Sequence, residues 1–237
     1  MPSLKLEQTA FIESVLNLKP RVAAFDCDGT LWSGDAGEGF FSWELEQGLV
    51  SEKIVRWARA RYADYRAGRV AEEIMCGEMV TMHRGLREEA VQHAADIYFE
   101  LGVAENIFPE MRELVRQLQA RGCQVWAVSS SNLWIIRSAM RAFEIPPSRI
   151  LATETAVENG LILDRLIRVP SGPDKPKAIL EAIGSAPDCA FGNSIWDREM
   201  LAMAKHPFAI NPNPDLREIA SARRWTIYRP EVNHQQR

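Results

Sequence analysis

Apolar positions along this chain change their period several times, and the changes mark out its elements. Leu6, Phe11, Ile12, Val15 and Leu16 recur at helical spacing until Pro20 stops the pattern. The run Val22-Ala23-Ala24-Phe25 then reads as a buried strand that opens into Asp26-Cys27-Asp28-Gly29-Thr30. From Trp32 to Phe108 strand-like runs disappear, and the spacing predicts helices at 36–48, 51–67, 70–84 and 87–101, punctuated by Gly48, Gly68, Gly85 and Gly102. Beyond Pro109, helices at 110–121, 132–143, 174–183, 196–204 and 214–222 alternate with strands at 123–129, 149–154, 188–191, 206–210 and 225–228. A hairpin is expected within 151–169, turning at Glu158-Asn159-Gly160, and the polar stretch from Glu231 reads as a disordered tail.

The alternation of strand and helix predicts an α/β protein with a Rossmann-like parallel core, built from 1–32 and 108–237, and an inserted helical cap at 33–107. At 237 residues, 46% of them hydrophobic and 25% charged, the chain buries a full core without disulfide or metal staples. A net charge of −4 gives no long-range field for a polyanion, so nucleic acid is not an expected partner. The cluster Arg56, Arg59, Arg61, Arg66 and Arg69, interleaved with Trp57, Tyr62 and Tyr65, is read as a solvated helix face. Cys27, Cys76, Cys123 and Cys189 lack metal-ligand spacing and read as buried free thiols, and His83, His93, His206 and His234 read as structural or exposed. With neither a leader pattern nor a membrane-length apolar run, the expected location is the cytoplasm, with no membrane partner; oligomeric state is not legible.

Ligands of open parallel sheets sit at the carboxyl ends of the strands. Three exits carry candidate chemistry: Asp26 and Asp28 after the first strand, Ser129 and Ser130 after Val125-Trp126-Ala127-Val128, and Asn193 and Asp197 after Cys189-Ala190-Phe191-Gly192. Two carboxylates at i and i+2 face one point from different environments, so one attacks while the other carries a proton. A carboxylate accepts a phosphoryl group when the charge on its oxygens is neutralised, and Lys175 with Mg²⁺ would supply that neutralisation. Lys177 is the rival to Lys175, and Ser129 to Asn132 also read as a helix cap, a role compatible with phosphate binding. Trp32, Trp134 and Trp196 each follow a strand exit and suggest an aromatic rim, with core packing as the alternative.

These residues carry a family resemblance. Val22 to Trp32 resembles the first motif of the haloacid dehalogenase superfamily; Val125 to Ser129, Lys175 with Ala178 and Ile179, and Phe191 to Asp197 resemble the second, third and fourth, in family order. The resemblance implies Asp26 as nucleophile, Asp28 as acid/base, Thr30 as support for the loop, and Ser129 and Lys175 on the phosphate. It also implies Mg²⁺ on Asp26, the main-chain carbonyl of Asp28 and an oxygen of the fourth motif. There Asn193 replaces the usual first Asp, so Asn193 or Asp197 supplies that oxygen. The helical insert is similar to the cap of phosphoserine phosphatases, with Asp35 or Glu38 as the early acidic residue of the substrate site. Gly77 stands near the place of that branch's carboxylate-gripping Arg, which argues against phosphoserine. The resulting expectation is a Mg²⁺-dependent phosphatase acting on a small phosphorylated metabolite through an aspartyl-phosphate. A phosphomutase and a phosphate-binding protein without turnover are the alternatives.

Overall fold

The structure is a computed structural model describing residues 4–231; the tail expected from Glu231 lies, beyond that residue, outside the described residues. Helix α1 (Leu6–Leu16) leads into strand β1 (Val22–Phe25), and four helices follow: α2 (Ala36–Glu46), α3 (Glu52–Arg66), α4 (Glu72–Thr81) and α5 (Glu88–Tyr98). The chain continues through α6 (Pro109–Ala120), β2 (Gln124–Asn132), α7 (Leu133–Arg141), β3 (Ile150–Glu158), β4 (Leu161–Arg168) and α8 (Asp174–Ile183). It closes with β5 (Cys189–Gly192), α9 (Arg198–Met203), β6 (His206–Ile210), α10 (Pro214–Ala222) and β7 (Thr226–Tyr228).

The strands form one seven-stranded sheet in the order β4-β3-β2-β1-β5-β6-β7, parallel except where β4 runs antiparallel to β3. After β1 the chain builds outward on one side and then returns to build on the other, so β1 lies at the topological switch point. Both faces are covered, which explains why the strands read as apolar runs. Ala23 and Phe25 of β1, with Val125 and Ala127 of β2, pack with residues of α1, α6 and α7; Ala24, Trp126 and Val128 pack with those of α8, α9 and α10. Phe191 stacks between Phe25 and Phe208, with ring centroids 4.1 and 4.8 Å away.

Helices α2, α3 and α4 enclose a small core of their own, including Phe41, Leu45, Ala58 and Met75. This helical region is tied to the edge hairpin by main-chain bonds: the Gly85 N–H donates to the Ile162 carbonyl, Ile162 to Leu86, and Glu88 to Gly160, at 2.8–3.0 Å. The hairpin turns where expected, because Asn159 and Gly160 both adopt positive φ.

Two elements depart from the sequence reading. The helix expected to run to 101 ends at Tyr98 and passes into a π-turn, Phe99–Val103. Strand β2 does not stop at Ser129: its pairing with β3 jumps from Val128↔Leu151 to Asn132↔Thr153, so Ser129 to Ser131 form a bulge. The Thr153 hydroxyl donates to the Ser130 carbonyl at 2.6 Å and holds the bulge in place.

Candidate active site

A cavity of about 320 Å³ opens at the exits of β1, β2 and β5, beneath the helices that follow β1. Asp26 sits at its floor, 6% exposed, with both oxygens held: Thr30 donates to Oδ2 at 2.9 Å and Lys175 to Oδ1 at 2.8 Å. The Lys175 ammonium also donates to Asp197 Oδ1 at 2.6 Å and to the Val128 carbonyl at 3.2 Å. Burial works against the charged lysine, but the Asp197 and Asp26 carboxylates outweigh it and hold the ammonium protonated. Burial and then the charge of Asp197 push Asp26 up to about 6, against the pull of Lys175 and Thr30.

Asp28 stands in a different environment. Its Oδ1 accepts from Trp32 Nε1 at 2.8 Å and from the Ala36 N–H at 2.5 Å, and its Oδ2 accepts from the Ser131 hydroxyl at 2.7 Å. Burial, followed by the charge of Asp35, pushes Asp28 up to about 8, although the Ser131 and Ala36 bonds oppose the shift. The two carboxyls, two residues apart, therefore differ in proton affinity, with Asp28 the better proton holder.

The residues singled out in the sequence come together unevenly. Asp35 and Glu38 line the cavity; Asp35 also caps α2 by accepting from the Glu38 N–H at 2.7 Å. Ser130 lines it as well, whereas Ser129 is 1% exposed and its Oγ accepts from the Ser131 N–H at 3.1 Å, so the Ser129 hydroxyl supports the bulge. Thr30 is fully buried and acts on Asp26. Lys177 is exposed and pairs with Asp174, which leaves Lys175 as the cavity lysine. Of the three tryptophans only Trp196 lines the cavity: Trp32 is buried and hydrogen-bonded to Asp28, and Trp134 packs edge-on to His83. His83 is buried between Glu44 and the Val80 carbonyl, a structural role.

Ser131, Tyr62, Tyr65 and Glu72 are cavity residues that the sequence reading did not single out for this site. The Arg-rich pattern of α3 concealed its two tyrosines, and Ser131 looked like one serine among three. Their signals are positional and become readable only once α3, α4 and the β2 bulge are placed around the cavity.

For a metal ion, the available donors near β1 and β5 are the Asp26 carboxylate, the main-chain carbonyl of Asp28 and the amide oxygen of Asn193. Asn193 lies so close to the β1 loop that a Cβ on Gly29, which has φ +72°, would collide with its side chain. Among the described residues no three His, Cys, Asp or Glu side chains gather as a metal cluster. One carboxylate with neutral oxygens suits a hydrated Mg²⁺ and not a thiophilic or imidazole-seeking metal. Asp197 is engaged within the protein: its Oδ1 accepts from Lys175 at 2.6 Å and its Oδ2 from the Asn193 and Ser194 N–H groups, each at 2.9 Å.

Comparison with known proteins identifies the family. The family model for haloacid dehalogenase-like hydrolases matches residues 23–202. A Mycobacterium tuberculosis protein named as a probable phosphatase is 26% identical over 88% of this chain and 75% of its own. A histidinol-phosphatase of Neisseria meningitidis is 24% identical over 87% of this chain and 97% of its own. A solved phosphoserine phosphatase, carrying an analogue of its phospho-aspartyl intermediate, superposes with a TM-score of 0.57 at 17% identity, covering 90% of this chain and 94% of that one. Among the described residues no helix is long and apolar enough to cross a membrane.

Proposed function

Because the chain belongs to the haloacid dehalogenase-like hydrolases, we propose that it hydrolyses a small phosphate monoester through a phosphate carried transiently on Asp26. The observation that carries this reading is the unequal pair: Asp26 held by Lys175 and Thr30, and Asp28 held by Ser131, Trp32 and Ala36 with its carboxyl pushed up to about 8. A carboxyl with that proton affinity enters the reaction as an acid. The names of the phosphatase relatives support a small organic phosphate as substrate.

In the first half-reaction an Asp26 oxygen attacks phosphorus. The P–O bond to the alcohol breaks, and the departing oxygen takes the proton of Asp28. In the second, the Asp28 carboxylate takes a proton from water, the resulting hydroxide attacks the aspartyl-phosphate, and inorganic phosphate leaves as Asp26 is restored. Lys175 and Ser130 face the phosphoryl oxygens, and Asp197 is a positioning residue that fixes the Lys175 ammonium. Mg²⁺, held by Asp26, the Asp28 carbonyl and Asn193, would neutralise charge on the phosphoryl oxygens. A neutral Asn193 makes its affinity weaker than an all-carboxylate site would have.

Hydrolysis of p-nitrophenyl phosphate tests this mechanism. Asp26→Asn is expected to abolish it, Asp28→Asn to lower kcat by roughly 10²–10⁴-fold, and EDTA to inhibit with recovery on added Mg²⁺. Full activity in Asp26→Asn would exclude the covalent route.

A further inference from the structure

The cavity wall away from the catalytic carboxyls is acidic and aromatic. Asp35 and Glu38 flank it near the start of α2, α3 contributes Tyr62 and Tyr65, α4 contributes Glu72, and Trp196 stands at the rim. Two cations line the same cavity. Lys175 is already shared between Asp26 and Asp197, and Arg66 is exposed on α3.

Glu72 stands out within this wall. It is 7% exposed, and its carboxylate receives one hydrogen bond from the described residues, from the Ser171 hydroxyl to Oε1 at 2.9 Å. No lysine or arginine pairs with it among the described residues. Natural proteins rarely bury a carboxylate this deeply without a cation or a full set of donors. Here the unfilled oxygen belongs to a residue that lines the cavity leading to Asp26.

We propose that the substrate's leaving group is cationic, an amino alcohol or its N-methylated form, and that Glu72 is the residue that selects it. The inference rests on the phosphatase reading above and specifies its substrate. An ammonium entering the chamber supplies Glu72 with its missing countercharge and shares that chamber with the carboxylates of Asp35 and Glu38 and the aromatic residues Tyr62, Tyr65 and Trp196. Met75 and Met79 line the same chamber and suit methylene or N-methyl groups. A leaving group bearing a carboxylate meets three carboxylates instead and is rejected by repulsion. Burial holds the Glu72 carboxyl up to about 7, against the Ser171 bond and the Lys175 charge, and a bound ammonium would keep it ionised.

Three esters of similar size separate charge from shape: 2-aminoethyl phosphate, propyl phosphate and phosphoglycolate. Turnover is measured with the wild-type protein and Mg²⁺, and binding by calorimetry with Asp26→Asn. The cationic ester is expected to exceed the neutral one by about tenfold in kcat/KM and in affinity, with phosphoglycolate weakest. Glu72→Gln, which retains an oxygen for Ser171, should bring the first two esters to within about threefold of each other; Glu72→Met serves as a second variant should that one fail to fold. Equal or reversed preference in the wild type, an unchanged ratio in the variants, or no binding of any ester overturns the inference. Charge-selective binding without turnover would instead remove the phosphatase reading and leave the cationic site standing; turnover without charge preference would do the opposite.

Discussion

Lys175 shows how much one side chain decides at the residue scale. It is 1% exposed, and its ammonium joins the exits of β1 and β2 to the loop after β5 through Asp26, Val128 and Asp197. Its loss would leave two buried carboxylates without a cation, a defect of about 3–5 kcal/mol. Lys175→Met is therefore expected to lose activity and to unfold at lower urea concentration by an equivalent amount at pH 7, measured by fluorescence. The importance of Lys175 was legible from its place in a recognisable motif, but its sharing with Asp197 was not, because the two are 22 residues apart in sequence. Asp197, a candidate metal ligand by sequence, is also the partner of this lysine.

At the scale of elements, the start of β1 is held to the start of β5 by one carboxylate. Asp188 Oδ2 accepts from the Arg21 and Val22 N–H groups at 2.8 and 3.1 Å, and the Asp188 N–H returns a bond to the Val22 carbonyl at 2.9 Å. Burial pushes the Asp188 carboxyl up, but those amides and the charges of Arg21 and Lys205 outweigh it and hold it below the usual carboxylate range. A folded-state pKa below the unfolded value means stability that is complete above the ordinary carboxyl range and lost as pH falls through the folded value. Asp188→Ala should cost about 1 kcal/mol at pH 7, and denaturation curves of variant and wild type should converge in acid below the ordinary carboxyl range. The strands themselves were readable from their apolar runs. The β2 bulge was not, since it is set by pairing with β3 and by the Thr153 bond to Ser130.

At the scale of the whole molecule, the helices after β1 form two regions of unequal attachment. The α4–α5 junction shares main-chain bonds with the β4 edge, while α3 buries only Ala58. Hydrogen exchange should find the amides of Gly85, Glu88 and Ile162 protected well beyond those in the middle of α3, since opening free energy follows buried contact; equal protection would contradict the unequal attachment. The cavity lies beneath the more weakly attached helix, which carries Tyr62 and Tyr65. The sequence alone determined the α/β class, the helical stretch after β1, and Asp26, Asp28 and Lys175 as candidate chemistry. Apolar periodicity and strand-exit position are local properties, and a one-dimensional pattern records them. Only the tertiary structure decided which serine reaches Asp28, that Asp197 serves Lys175, and that Glu72 lines the cavity almost without partners. Each of these depends on elements distant in sequence meeting at the switch point of the sheet, where packing and not spacing chooses neighbours.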